Sequence, residues 1–440
     1  MSEGEALTDG LGEAMYRFAE RAYPICRSIT GDGVRQTLEL VREIVPELEI
    51  HEVASGSPVL DWTVPDEWNL RSARLTTPDG RVVADTAVHN LHVMGYSEPV
   101  DLRLSLEELQ PHLFSLPDQP DAIPYRTSYW KRGWAFCLED RVRRSLPEGE
   151  YHAVIDSTLG PGHLTYGEVV LPGEKGGDAD DLVLISAHTC HPSLANDNLS
   201  GIGVVAYLAR LLADRPRRRY GYRLLFAPGT IGAITWLARN EDGAARRIRH
   251  GLIAANLGDG GPFHFKRTQR GDTELDRAAL YVLGQQTDVR HEAFDYEPFG
   301  YDERQYGSPG FDLAVGLLSR AHWGRFPEYH TSGDDLSLIA PEHLERSLAL
   351  YVEVVEVLEA NRCYRNLSPK AEPQLGRRGL YHHIGGGEEG RERQLALLWV
   401  LNQSDGSRSL LDIAERSGLP FERLVEAAGL LREADLLAPA

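Results

Sequence analysis

The stretch Ser186-Ala187-His188-Thr189-Cys190-His191-Pro192 is followed by Ala195-Asn196-Asp197-Asn198-Leu199-Ser200-Gly201. It places two imidazoles, a thiol and a carboxylate on one short segment. An imidazole and a carboxylate presented from adjacent loops suit Zn²⁺, which takes His nitrogen and Asp oxygen in a compact shell. The plainer alternative is that Asp197 or Asn198 caps a helix and His188 is a satisfied loop histidine. Two further pieces favour the metal. Asp259 sits in Asn256-Leu257-Gly258-Asp259-Gly260-Gly261, and His330 in Glu328-Tyr329-His330-Thr331-Ser332-Gly333-Asp334-Asp335. Both are expected near strand ends, so His188, Asp197, Asp259 and His330 would meet along one sheet edge, where open α/β sheets bind ligands. His191 is a second-sphere partner or an alternative ligand. Cys190 could act as thiolate or nucleophile, but no His–Asn pair accompanies it.

The elements that must present these groups can be read from hydrophobic periodicity. Leu182-Val183-Leu184-Ile185-Ser186-Ala187 is a continuous apolar run, expected of a strand buried on both faces. Ile202, Val205, Ala206, Ala209 and Leu212 mark the helix after it. Further strands are expected at 222–227, 252–255, 280–283 and 311–318, and a long helix at 341–361. Strands alternating with helices imply an α/β fold: a mostly parallel mixed sheet with helices on both faces. Residues 9–45 read as two helices, broken at Thr30-Gly31-Asp32-Gly33. That glycine pair follows no strand, so it is not a phosphate loop. Residues 49–139 read as an inserted β-rich domain, with Pro78-Asp79-Gly80 as a hairpin turn and Trp62, Trp68, Tyr125, Tyr129, Trp130 and Trp134 within it. Residues 1–48 and 140–375 form the main domain. Residues 380–440 form a winged-helix-like domain, whose last block reads as three short helices.

Composition bounds the partners. The chain has 440 residues with 42% hydrophobic and 25% charged, and a net charge of −20. Such a field does not attract nucleic acid or an anionic membrane. The tail from 388 to 440 carries six arginines against ten acids, so it lacks the basic face of a DNA reader. A packing role is expected for it, and a homo-oligomer is left open. No apolar run spans a membrane, and Met1 to Glu5 does not read as a signal peptide. Four scattered cysteines suit a reducing cytoplasm.

The motifs SAH…ANDNLSG, NLGDGG and EYHTSGDD resemble the strand-end motifs of the zinc-dependent aminopeptidase superfamily, which includes bacterial leucyl aminopeptidases and glutaminyl cyclases. PICRSITGDGVRQTL, YRTSYWKRGWAFCL, FAPGTIGAITWL and YDERQYGSPGFDL resemble a bacterial aminopeptidase-like group with an inserted β domain and a C-terminal winged helix. The resemblance covers nearly the whole chain. It implies the phosphorylase/hydrolase-like zinc peptidase fold. It also implies His188 and His330 as zinc ligands, Asp197 as the metal-bridging aspartate of dinuclear members and Asp259 as a second-metal ligand. The sequence departs from that pattern twice. The usual Glu-Glu pair is replaced by Gly229-Thr230, and the aspartate two residues after the first histidine is Cys190. One zinc is expected, with a second left open. Glu303, in Tyr301-Asp302-Glu303-Arg304, is the expected replacement base, although an Asp-Glu-Arg loop can equally form a surface ion pair. Asp302, Arg304 and Tyr329 are expected in the pocket. The implied activity is metal-dependent cleavage of a peptide, aminoacyl or small acyl amide. The alternative is a degenerate, non-catalytic binding or assembly protein, which the missing Glu-Glu pair favours.

Overall fold

The structure is a computed structural model and describes residues 7–174, 181–322, 324–380 and 388–440. The acidic start Met1–Glu5 and the glycines Gly385–Gly387 lie outside the described residues. The chain divides into two compact units, Met1–Val352 and Glu353–Ala440.

The first unit is built on an eight-stranded mixed sheet. Its strands are β1 (Glu49–Ala54), β6 (His163–Leu171), β7 (Leu182–His188), β8 (Gly221–Ala227), β9 (Ile248–Ala254), β10 (Phe263–Lys266), β11 (His291–Phe294) and β12 (Val315–Ser319). Their spatial order is β1-β6-β8-β7-β9-β12-β10-β11. The centre, β8-β7-β9-β12, is parallel, and both β1 and β6 join antiparallel at one side. Every residue of β7 is buried, as its unbroken apolar run requires. Three helices match the expected periodicity: α1 (Leu11–Ala22), α2 (Asp32–Ile44) and α3 (Gly201–Asp214). The break between α1 and α2 has a packing cause. A Cβ at Gly33 would stand 2.0 Å from the carbonyl oxygen of Cys26, so only glycine lets the turn close.

A four-stranded antiparallel sheet sits beside the main one in the chain. It comprises β2 (Glu67–Thr76), β3 (Val82–Asp85), β4 (Val100–Ser105) and β5 (Glu150–Gly160). The turn at Pro78-Asp79-Gly80 joins β2 to β3, with Gly80 at φ +84°. The small sheet recruits β5 from beyond residue 139, and β1 belongs to the large sheet. The two sheets therefore do not part at residues 49 and 139. β5 runs straight on into β6, and alternation within a strand cannot show which partners it takes.

Two expected strands differ. Residues 280–283 lie in helix α4 (Glu274–Gln285), opened by a capping box between Thr273 and Asp276. Leu275, Ala278, Ala279, Val282 and Leu283 form its buried face, a helical spacing hidden by the short run Ala279-Leu280-Tyr281-Val282-Leu283. The strand expected from 311 begins only at Val315, because Asp312 adopts φ +51° and turns the chain before it.

The second unit holds α6 (Glu388–Gln403), α7 (Leu410–Ser417) and α8 (Phe421–Glu433), with α5 (Pro341–Ala360) containing the division between units. Strands Cys363–Asn366, Asp405–Ser409 and Leu437–Pro439 make a small antiparallel sheet beside these helices, a winged-helix arrangement. Among the described residues, no helix is long and apolar enough to cross a membrane.

Candidate metal centre and its cavity

His188 closes β7, at the carboxyl end of the parallel strands, and Asp197 enters on the loop that leads into α3. His188 Nε2 lies 2.9 Å from Asp197 Oδ1, and His330 Nε2 lies 3.1 Å from Asp197 Oδ2. His191 Nδ1 lies 3.2 Å from the same Oδ2. The ligand atoms of His188, His191 and Asp197 fall within 4.8 Å of one another. The structure thus brings together His188, Asp197 and His330 of the expected set, and adds His191 to them.

Asp259 is not part of this group. Its Oδ2 accepts from Asn196 Nδ2 at 2.8 Å and from the Ala321 amide at 3.2 Å, and its Oδ1 accepts from the Gly261 amide at 2.6 Å. These donors tie its carboxylate to the neighbouring loops.

Each ligand candidate is held by a distinct support. The Asp334 carboxylate accepts from the Asn196 and Asp197 amides at 2.6 and 2.9 Å, which fixes the Asp197 backbone. Asn198 Nδ2 donates to the Ala254 carbonyl at 2.9 Å and lies 3.2 Å from His188 Nδ1. Tyr301 stacks on the His188 ring at 5.1 Å, and its hydroxyl donates to Asp197 Oδ1 at 3.4 Å. The buried Arg27 donates from Nε to the His191 carbonyl at 2.9 Å. His330 takes a left-handed backbone, φ +56°. Its carbonyl accepts from the Tyr125 amide at 2.8 Å, and Ser332 pairs with Ile123 on both backbone and side chain. Tyr329 stacks on the His330 ring at 3.9 Å.

The electrostatics of His188, His330 and Asp197 suit cation ligation, whereas at His191 burial is outweighed by the Asp197 charge and Cys190, which hold that imidazole well above its usual range. Burial pushes the His188 and His330 imidazoles down, toward the neutral form that binds metal. Burial opposes the Asp197 charge, but His191 and His188 outweigh it and hold the carboxyl well below its usual range. His188 Nε2, Asp197 Oδ2 and His330 Nε2 are buried without a hydrogen-bond partner. Unsatisfied buried polar atoms are costly, so a group that satisfies three at once is expected.

The centre opens into a cavity of about 470 Å³. Asp302 lines it and Glu303 does not. Glu303 is fully buried in an ion pair, its Oε1 accepting from Lys266 Nζ at 2.7 Å. The expected surface pair is thus an interior one, with Lys266 as its partner. Among the described residues, Asp302 has no such cation. Its Oδ1 is buried and unpartnered, and burial followed by the Glu303 charge raises its carboxyl to about 7. A Cβ at Gly229 would meet His188 Cβ at 3.2 Å and Asp302 Oδ1 at 3.5 Å. Asp302 therefore occupies the space beside His188 that a side chain at 229 would claim. Sequence reading placed Asp302 and Tyr329 in the pocket and missed the supports Arg27, Tyr301 and Asn198. The only signal for those was their place inside distinctive motifs.

The sequence matches a domain of unknown function (DUF4910) over residues 16–361 and a winged helix-turn-helix over residues 362–439. A Clostridium acetobutylicum protein, provisionally named for polysaccharide biosynthesis with an aminopeptidase-like domain, is 46% identical over 97% of this chain and 96% of its own. A crystal structure from the same species, provisionally called a peptidase, superposes with a TM-score of 0.91 at 44% identity, covering 99% of this chain and 98% of that one. A zinc aminopeptidase from Bacillus subtilis superposes with a TM-score of 0.57 at 13% identity over 79% of this chain and 94% of that one. That last likeness is one of fold.

Proposed function

The chain belongs to the DUF4910 family and has the fold of the zinc aminopeptidases; from that premise we propose that it is a metal-dependent hydrolase of an amide bond. The observation that carries this reading is the convergence of His188 Nε2 and His330 Nε2 on the Asp197 carboxylate, with both nitrogens and Asp197 Oδ2 buried and lacking a formed hydrogen bond. Two neutral imidazoles with an ionised carboxylate, and His191 at hand, are a donor set that fits Zn²⁺. We assign one ion to them, since Asp259 is engaged elsewhere. A zinc ion held there would polarise the amide carbonyl and acidify water.

The chain's own residues do the rest. Asp302 Oδ1 takes a proton from the attacking water, whose oxygen bonds to the amide carbon. The carbon–nitrogen bond then breaks, and Asp302 returns the proton to the leaving nitrogen, giving a carboxylic acid and an amine. Tyr301 holds Asp197 and His188 in register. Glu303, the base expected from sequence, becomes a positioning residue: paired with Lys266, it anchors the turn that presents Asp302. The absence of carboxylates at Gly229-Thr230 favours a non-catalytic binder, but Asp302 fills the space beside His188 that they leave.

The test is metal content joined to turnover. Purified wild type is expected to hold close to one zinc per chain, measured by elemental analysis, and to hydrolyse at least one member of an amide panel in a metal-dependent way. His188→Ala should lose both, with metal binding weaker by about 100-fold or more. Equal turnover in wild type and His188→Ala sinks the hydrolase reading.

A further inference from the structure

We infer that the substrate is an anionic N-acyl amino sugar, bound by Arg126, Arg304 and an indole shelf of Trp62 and Trp130, and not the free amino terminus of a peptide. This rests on the amide-hydrolase reading and names the substrate class of that same cavity.

The first argument is charge. A peptide amino terminus is an ammonium, which needs carboxylates around it. Among the described residues that line the cavity, Asp302 is the sole carboxylate, against two guanidinium groups, Arg126 and Arg304. In a chain of net charge −20, acids outnumber the basic residues. These two have no ion-pair partner among the described residues. Each instead lies against a ring, Arg126 5.7 Å from the Phe114 centroid and Arg304 5.9 Å from that of Phe299. Arg304 Nε is also buried without a hydrogen-bond partner. Guanidinium groups left open in a cavity call for a carboxylate or phosphate, which they bind through paired N–H donors.

The second argument is the rim. Trp62 and Trp130 line the cavity while 48% and 49% exposed, their rings 5.2 Å apart and tilted by 56°. Tyr129 meets Trp130 edge-on at 5.9 Å. Exposed aromatic groups at a cavity mouth mark a ligand groove, and their faces suit the apolar face of a sugar ring. The third argument is the hydroxyl content. Tyr125, Tyr129, Thr127, Thr230 and Tyr329 line the same space. Neutral groups that both donate and accept match a polyhydroxylated ligand. A ring on the indoles, an anion on the arginines and an acylated nitrogen over His188 account for all three.

The experiment measures binding by tryptophan fluorescence and calorimetry, and turnover by amine release, on the full-length zinc-loaded protein. The probes are N-acetylglucosamine 6-phosphate, N-acetylmuramic acid, N-acetylglucosamine and leucinamide. One or both anionic sugars should bind at least about 10-fold tighter than N-acetylglucosamine and leucinamide, and the tighter of the two identifies phosphate or carboxylate. Arg126→Gln with Arg304→Gln should erase that preference. Trp62→Ala with Trp130→Ala, both at exposed positions, should weaken every sugar by about 10-fold. Equal binding of anionic and neutral sugars, no sugar binding, or tighter binding of leucinamide overturns the inference. His188-dependent hydrolysis of leucinamide alone would overturn the substrate class and leave the hydrolase reading standing. Anionic sugar bound but never cleaved would do the reverse.

Discussion

The loop carrying Asp197 and the loop carrying Asp259 are tied through Asn196 and Ser200, yet their carboxylates have opposite surroundings. Asp259 is surrounded by donors from Asn196, Gly261 and Ala321. Asp197 has its backbone fixed by Asp334 while its side chain faces two imidazoles whose Nε2 atoms lack hydrogen-bond partners. The same contrast separates the adjacent acids Asp302 and Glu303: one lines the cavity without a cation, the other is locked to Lys266. A carboxylate becomes available for chemistry where the fold withholds its ordinary partners, and becomes structural where it supplies them.

The sharpest way to break this contrast is to remove the Asp302 charge. Asp302→Asn is expected to lower kcat by about 10²- to 10⁴-fold, the range for a lost general base, with zinc content unchanged by elemental analysis. Wild-type turnover should rise as pH passes about 7, and the variant should lose that step. Stability gives an independent reading. Burial raises the Asp302 carboxyl, so its neutral form stabilises the fold fully below the unfolded value, and that contribution is lost as pH rises through about 7. In thermal melts of chelator-treated protein, the variant should gain on wild type between about pH 4 and about pH 7 and hold that gain above it. A constant gap would remove the assigned environment.

The neighbouring acid should behave oppositely. Glu303→Gln leaves Lys266 buried without its counter-charge, and a loss of about 3–5 kcal/mol in denaturant unfolding is expected, with the zinc stoichiometry of the folded fraction kept. A stable Glu303→Gln protein with abolished turnover would return the base role to Glu303. The smallest effect falls on the donor-bound aspartate. Asp259→Ala strands the Asn196 amide and two backbone N–H groups, which should cost about 1–3 kcal/mol. Zinc affinity measured by chelator competition should move less than about 10-fold, and a loss as large as that of His188→Ala would make Asp259 a ligand after all.

The buried strand ending at His188 could be read directly, because a run from Leu182 to Ala187 has few alternatives once turns bound it. The hairpin at Pro78-Asp79-Gly80 and helix α3 were equally plain. Residues 280–283 mislead because six apolar neighbours in a row, Ala278 to Leu283, mask a helical face that Leu275 completes. At the centre, His188, Asp197 and His330 were legible as types placed after apolar runs. His191 and Asp302 were visible only as neighbours. What sets Asp302 apart, a missing partner and a shared edge with Gly229, and what sets His191 apart, its approach to Asp197 Oδ2, are properties of space that no spacing along the chain records.

The pairing of residues 123–125 with 330–332 has a temporal consequence. Ile123 and Ser332 are 209 positions apart, and contacts of such separation close late, since the long intervening chain must first be ordered. His330 is thus expected to reach its companions only after a distant segment has docked against its loop. A protein whose insertion is loosened would be expected to retain its central sheet and lose its third imidazole first.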